Sequence, residues 1–221
     1  MCMNMMLKKE DNTVGSLCGW EKLDIDPYIL GLWEADGYLR TSSIGLTSIY
    51  PTLVQRFRDF LQKYFSYDRL RLRVYLPVSS RSFDQSLRMR NTRICQAKKA
   101  KHPAYHIYVN SRPFVRAFLF VVRERIISHL NIPAYFAGRF DGDGSISLDQ
   151  KKDCRIVYTT FQESLSDQKL LQRYDPTIHS SLYHYKDAHT FVLYVWRAST
   201  THFVEVIRQY SSKINHTLIA P

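Results

Sequence analysis

Two nine-residue segments follow one plan: Ile29-Leu30-Gly31-Leu32-Trp33-Glu34-Ala35-Asp36-Gly37 and Phe136-Ala137-Gly138-Arg139-Phe140-Asp141-Gly142-Asp143-Gly144. Each sets small residues four apart, Gly31 with Ala35 and Gly138 with Gly142, which places them on one stripe of a helix. Such a stripe lets two backbones approach more closely than the roughly 8 to 10 Å usual for helix pairs. If the two helices pack on each other, Asp36 and Asp143 arrive together at one end. A carboxylate at a helix C-terminus meets the negative end of the macrodipole, and here it would meet a second carboxylate as well. Something positive must compensate: Arg or Lys could do so in a purely structural pair, but paired acids at the floor of a basic, strand-lined surface suit divalent metal ions shared with phosphate oxygens.

The elements around these segments repeat in one order. In the first half the periodicity predicts a helix over residues 28–36, capped by Asp26 with Pro27 at its first position and stopped by Gly37. A hairpin-like stretch follows over 38–48, then an amphipathic helix from Pro51 to Phe65. Residues 69–76 alternate, with Arg69, Arg71, Arg73 and Tyr75 on one face and Leu70, Leu72, Val74 and Leu76 on the other. Residues 104–110 read as a partner strand, and Pro113 opens a helix to about Leu130. The second half repeats this with a helix over 133–143 stopped by Gly144, strands near 145–149 and 155–160, and a helix over 165–174. Strands near 180–186 and 190–196 and a helix from Thr200 to about Tyr210 complete it. The expected fold is α+β, two αββαββα halves spanning 25–130 and 131–221 after an N-terminal extension of 1–24. Each half has an antiparallel sheet whose free face is open to a partner. Residues 79–102 fit no element and read as a long basic loop carrying Arg88, Arg90, Arg93, Lys98, Lys99 and Lys101.

The 31 Lys and Arg residues against 20 Asp and Glu give a net charge of +11 over 221 residues. That excess points to a polyanionic partner. No apolar run approaches the roughly 18 residues of a membrane span, and the start of the chain lacks a signal-peptide pattern. Cys2, Cys18, Cys95 and Cys154 lie far apart with no CxxC spacing, so they read as reduced thiols. The expectation is an intracellular protein, cytoplasmic or organellar and not secreted. An EF-hand-like reading of Asp141-Gly142-Asp143-Gly144-Ser145 fails, because Ile146 stands where the turn glycine is needed and Lys152 where the bidentate glutamate is needed. The histidines show no HExxH-type spacing.

With both motifs in this context, the sequence resembles the LAGLIDADG family of homing endonucleases and maturases, over about residues 25 to 215. The resemblance implies that Asp36 and Asp143 are catalytic metal ligands, with Ala35 and Gly142 beside them in the metal site. It implies two or three Mg²⁺ ions, with Mn²⁺ or Ca²⁺ able to substitute for binding. It further implies one chain, acting as a monomer, that straddles double-stranded DNA with both sheets in the major groove. Each strand is cut by water attack on a phosphodiester, promoting intron or intein mobility. An intron-RNA maturase and a non-cleaving DNA-binding regulator are the alternatives on this fold, and the intact acids disfavour the regulator. Trp33, Glu34 and Arg139 depart from the usual motif pattern. These departures bear on the packing of the motif helices.

The outward polar strand positions are then the expected DNA contacts: Arg40, Arg69, Arg71, Arg73, Tyr75, His106 and Tyr108 in the first half, and Ser145, Ser147, Arg155, Tyr183 and Tyr185 in the second. Lys151, Lys152 and the basic residues of the long loop add phosphate contacts. Accessory catalytic candidates are Lys213, after the last helix, and Gln162, at the end of a second-half strand, whose first-half counterpart is read as Ser48.

Overall fold

The computed structural model describes residues 23–80, 82–124, 131–146, 153–186 and 189–217. The first part of the chain runs α1 (Pro27–Asp36), β1 (Gly37–Arg40), β2 (Ser43–Ser48), α2 (Pro51–Gln62), β3 (Arg71–Pro77), β4 (Thr92–Ala97), β5 (Ala104–Asn110) and α3 (Arg112–Glu124). It continues as α4 (Ile132–Asp143), β6 (Gly144–Ile146), β7 (Cys154–Tyr158), α5 (Phe161–Tyr174), β8 (Ser180–Tyr185), β9 (Thr190–Val195), α6 (Arg197–Arg208) and α7 (Ser212–Thr217). The sheets run β1-β2-β5-β3-β4 and β6-β7-β9-β8, so the second repeats the order of the first without its last strand.

Alternation decides which face of each strand is covered. On β3, Leu72, Val74 and Leu76 are buried while Arg71 is exposed and Arg73 and Tyr75 lie between. The buried faces meet the amphipathic helices: Leu53, Phe57 and Phe60 of α2 and Phe114 and Phe118 of α3 are at most 2% exposed. In the second sheet Ile156 and Leu193 meet Leu171 of α5 and Phe203 of α6 in the same way. Among the described residues no helix packs on the opposite face of either sheet, as the duplicated α+β pattern requires.

The segment expected to be an elementless loop is structured. A 3-10 turn forms at Gln85–Leu87, with Leu87 and Met89 buried, and β4 then pairs with β3 in parallel register, Arg73 beside Arg93. Two isolated apolar residues among arginines carry no readable period. The segment is placed by the open edge of β3, whose backbone groups need partners. The first sheet is therefore mixed and five-stranded, where an antiparallel sheet was expected. Arg69 also leaves its expected strand: it ends a 3-10 turn, Tyr67–Arg69, with its guanidinium 5.1 Å from the Phe65 ring and donating to the Asn110 carbonyl at 3.4 Å. An extra short helix, α7, follows the expected last helix. No helix among the described residues is long and apolar enough to cross a membrane. Cys95 and Cys154 are free thiols; Cys2 and Cys18 lie outside the described residues.

Candidate active site and nucleic-acid interface

The site is built on the contact between α1 and α4. Both helices start with a side-chain cap and a proline in the first turn: Asp26 accepts from the Tyr28 N–H at 2.8 Å, and Asn131 from the Ala134 N–H at 3.2 Å. The small residues meet as expected. A Cβ at Gly31 would lie 2.0 Å from the Tyr135 carbonyl oxygen, and one at Gly138 2.0 Å from the Tyr28 carbonyl oxygen. Gly142 faces Ala35, where a Cβ would come within 2.3 Å of the Ala35 Cβ and 3.7 Å of the Asp36 Cγ. These crossings run the helices in parallel and bring their C-terminal ends, and so the two acids, side by side. Gly37 and Gly144 end the helices by a different route from the one expected. Their φ angles are −67° and −87°, so no left-handed turn is involved. A Cβ at either position would strike the preceding turn, 2.1 Å from the Trp33 carbonyl oxygen or 2.3 Å from the Phe140 ring.

Asp36 and Asp143 are half-buried, and each chain continues from its acid directly into the edge strand of a sheet, β1 or β6. Burial pushes the Asp36 carboxyl up to about 6, and the Asp143 charge adds to the rise; Lys213 and a hydrogen bond with Ser48 oppose it. Burial raises Asp143 too, against Arg139 and Lys213. Lys213 completes the group, donating from Nζ to the carbonyls of Gly142 (3.0 Å), Gly144 (3.3 Å) and Phe140 (3.4 Å). Its ammonium thus sits at the negative end of the α4 dipole and 5.1 Å from the Tyr50 ring. Burial lowers its pKa, while Asp141, Asp36 and Asp143 hold it up.

A residue the sequence reading passed over places this lysine. Asp141 is fully buried in the last turn of α4 and accepts from the Tyr28 hydroxyl (2.7 Å), the Ser211 hydroxyl (2.5 Å), the Ser212 N–H (2.6 Å) and the Lys213 N–H (3.2 Å). It caps the start of α7 from a distant point in the chain and so fixes where Lys213 begins. The available signal was the pairing of an acid two residues before Asp143 with the helix-starting Ser211-Ser212.

Gln162 does not stand at the end of a strand as expected. It is exposed, in the first turn of α5. The strand registers, Gly37 with Leu46 and Gly144 with Ile156, make Tyr158 and not Gln162 the counterpart of Ser48. The Tyr158 hydroxyl donates to Asp167 at 3.0 Å. That carboxylate anchors a buried polar cluster made from the motif's unusual residues. Arg139 lies 3.4 Å from Asp167 and 4.3 Å from the Tyr158 ring, and the Tyr135 hydroxyl is 2.5 Å from Glu34 and 3.0 Å from Asp167. Glu34 and Arg139 thus tie α1, α4 and α5 together behind the acids.

The donor set fits divalent ions only in part from the protein side. Among the described residues no group of three or more His, Cys, Asp or Glu side chains is placed so that it could hold a metal ion. Two half-buried carboxylates with raised pKa values face one ammonium, a centre short of positive charge. Asp36 and Asp143 can each offer oxygens, as can the Ala35 carbonyl; the Gly142 carbonyl already accepts from Lys213. An ion held here would need to take its remaining ligands from outside these residues, from water or the oxygens of a bound molecule.

The open sheet faces flank this centre. Register places Arg71 opposite Tyr108 and Arg73 opposite His106, with Tyr75 further along β3 and Arg93 beside Arg73. Arg40, on β1, lies over Tyr38 at 5.4 Å, and Arg73 over Tyr108 at 5.2 Å. His106 belongs to this face but is not available to a ligand. It is 5% exposed, packed between Tyr38 and Tyr108 with its Nδ1 2.7 Å from the Thr47 hydroxyl, and burial with nearby Arg73 and Arg40 drops its pKa to about 4. In the second sheet Ser145, Arg155, Tyr183 and Tyr185 are exposed. Arg88, Arg90, Lys98, Lys99 and Lys101 are exposed around β4. Ser147, Lys151 and Lys152 lie outside the described residues.

No family model matches the chain, and no curated protein matches it in sequence. Solved structures do. Mesophilic variants of the homing endonuclease I-DmoI superpose with a TM-score of 0.56 at 15% identity, over 83% of this chain and 94% of theirs. I-DmoI in complex with DNA and Mn gives 0.55 at 16% identity, over 84% and 96%. The N-terminal LAGLIDADG domain of DUF199/WhiA gives 0.51 at 15%, over 82% and 80%. With two motif helices crossing at glycines, paired acids at their ends and two sheets opening from those acids, this chain has the LAGLIDADG fold.

Proposed function

We propose that this protein is a site-specific DNA endonuclease that uses divalent metal ions to cut both strands of a duplex. The observation that carries this reading is the meeting of Asp36 and Asp143 at the ends of two helices in backbone contact, where the two sheets begin. Such a pair is unfavourable in a purely structural role. It is useful where cations must be held between two scissile phosphates.

Asp36 and Asp143 would hold the ions, with the Ala35 carbonyl beside them. The metal, Mg²⁺ by the chemistry of an all-oxygen site, would lower the pKa of the attacking water and stabilise the leaving oxygen. The chain's own residues do the rest. Lys213, fixed by Asp141, keeps an ammonium beside the acids, where it offsets their mutual repulsion and the charge of an approaching phosphate. Ser48 orients the Asp36 carboxylate. The arginines of the first sheet and Arg155 of the second bind and orient the duplex in the major groove, so that its backbone crosses the acids. The structures of I-DmoI with DNA and Mn support a duplex partner and a divalent ion on this fold.

The test is selection of cleaved sites from a randomised duplex library with Mg²⁺. Wild type should yield a defined long site cut on both strands. Asp36→Asn and Asp143→Asn should each abolish double-strand cutting while retaining binding. Binding to a defined site with no cutting by wild type would favour the non-cleaving regulator, and full cutting by the double variant would place the chemistry elsewhere.

A further inference from the structure

We infer that the two sheets divide the target unequally: the first takes a half-site with several guanines, and the second a half-site with one fixed guanine, read by Arg155, amid positions contacted by tyrosines. The inference rests on the DNA-reading role proposed above and specifies its substrate.

The strands themselves carry the difference. Arg40, Arg71, Arg73 and Arg93 all lie on strands of the first sheet, and none of its five strands contains an acid. Register puts Arg71, Arg73 and Arg93 on the open face with Tyr108 and Tyr75. Arg40 and Arg73 are steadied by stacking on Tyr38 and Tyr108. Stacking restrains a guanidinium, whose in-plane N–H fork matches the O6 and N7 acceptors of guanine; on Arg73 the Tyr75 and Tyr108 hydroxyls also accept from that fork and help to aim it.

Among the described residues of the second sheet, Arg155 is the sole arginine on a strand. It is held differently. Its guanidinium lies 3.2 Å from Asp153 Oδ2, and the same oxygen accepts the Tyr194 hydroxyl at 2.8 Å. Asp153 is only 4% exposed, so it is a fixed post and not a competing surface charge. Tyr194 stands opposite Arg155 in the register, and Ser145 on its other side. A carboxylate behind an arginine spends part of the donor fork but aims what remains, reducing the freedom lost on binding. Around it the open face shows Tyr183 and Tyr185, each 52% exposed, with Ser181 and Thr190. Phenols and small hydroxyls lack a bidentate fork and discriminate weakly among bases, although they can meet phosphates and thymine methyls.

Bound-site selection tests this, using the full chain carrying Asp36→Asn and Asp143→Asn on duplexes randomised across both half-sites. The expected consensus has guanine at several positions on one side of the centre and at one position on the other. Arg71→Ala or Arg73→Ala should each reduce guanine discrimination about 5- to 150-fold at a position in the rich half. Arg155→Ala should do so at the single position in the poor half, and Asp153→Asn should weaken that same position while leaving the rich half unchanged. Guanines spread evenly over both halves would overturn the inference while leaving DNA binding intact. So would Arg155→Ala altering the half that Arg71→Ala alters, or altering neither. If the wild-type chain retained no duplex at all, the functional reading itself would fall, and this inference with it.

Discussion

Asp36→Asn should make the metal-free protein more stable while removing its activity. In the folded chain the Asp36 carboxyl titrates near 6, against an ordinary value of 3.8. Between those two values the folded state holds a proton that the unfolded state has released, so stability falls as pH rises through that window, and the loss is complete above it. A rise of this size corresponds to about 3 kcal/mol at most. Because Asp36 is half-exposed and solvent screens it, roughly 1 to 2 kcal/mol is the realistic size. Asparagine removes the charge, keeps the shape and still offers an oxygen to Ser48. At pH 7 without divalent ions, Asp36→Asn should therefore melt above wild type by about 2 to 8 °C for a chain of this size. The gap should narrow as pH falls through that window and close only below the ordinary value of 3.8, where the carboxyl is protonated in the folded and unfolded chain alike. Excess Mg²⁺ should raise the melting temperature of wild type more than that of the variant, since only the wild-type pair gains a counter-charge. Thermal melts across roughly pH 3 to 8, with and without Mg²⁺, would settle it. A variant less stable than wild type at pH 7, or a gap unchanged with pH, would refute the claim that the pair is electrostatically strained.

Three further outcomes follow from the geometry. Gly138→Ala forces a methyl to within 2.0 Å of the Tyr28 carbonyl oxygen and should destabilise the chain by about 1 to 3 kcal/mol or more in denaturant titration; an unchanged midpoint would contradict direct backbone contact. Asp141→Asn presents an amide N–H to a site where the hydroxyls of Tyr28 and Ser211 and the N–H groups of Ser212 and Lys213 all donate. It should cost about 1 to 3 kcal/mol and slow cleavage on a selected site, with the cleavage rate compared at matched folding. His106 is held neutral, with its pKa near 4 against 6.5 unfolded. Its contribution is therefore full above 6.5 and is lost as pH falls from 6.5 toward 4, by up to about 3 kcal/mol. His106→Gln should flatten that part of the stability profile, and an unaltered acid limb would show that His106 does not set it.

The motifs determined the most, because close helix contact leaves so few residue types free. Gly31, Ala35, Gly138 and Gly142 can be small for one shared reason, and the acids that follow them are carried to a common point by geometry alone. Strand alternation likewise told which of Leu72, Arg73, Val74 and Tyr75 would be covered. Apart from that repeated motif, the sequence did not show which residues find partners far along the chain. Residues 92–97 have no period of their own and became a strand because β3 left an edge unpaired. His106 alternates outward like Arg71 and Arg73, yet the Tyr38 and Tyr108 rings close over it. Gln162 lies near a strand end in sequence, while register gave the position beside the acid's counterpart to Tyr158. Asp141 looked like part of a motif until α7 was seen to start upon it. Local pattern reports the periodic burial of one element at a time; the hydrogen bonds of Asp141 and the pairing of β4 exist only after separate elements have been packed together, and that packing decided which side chains serve the site.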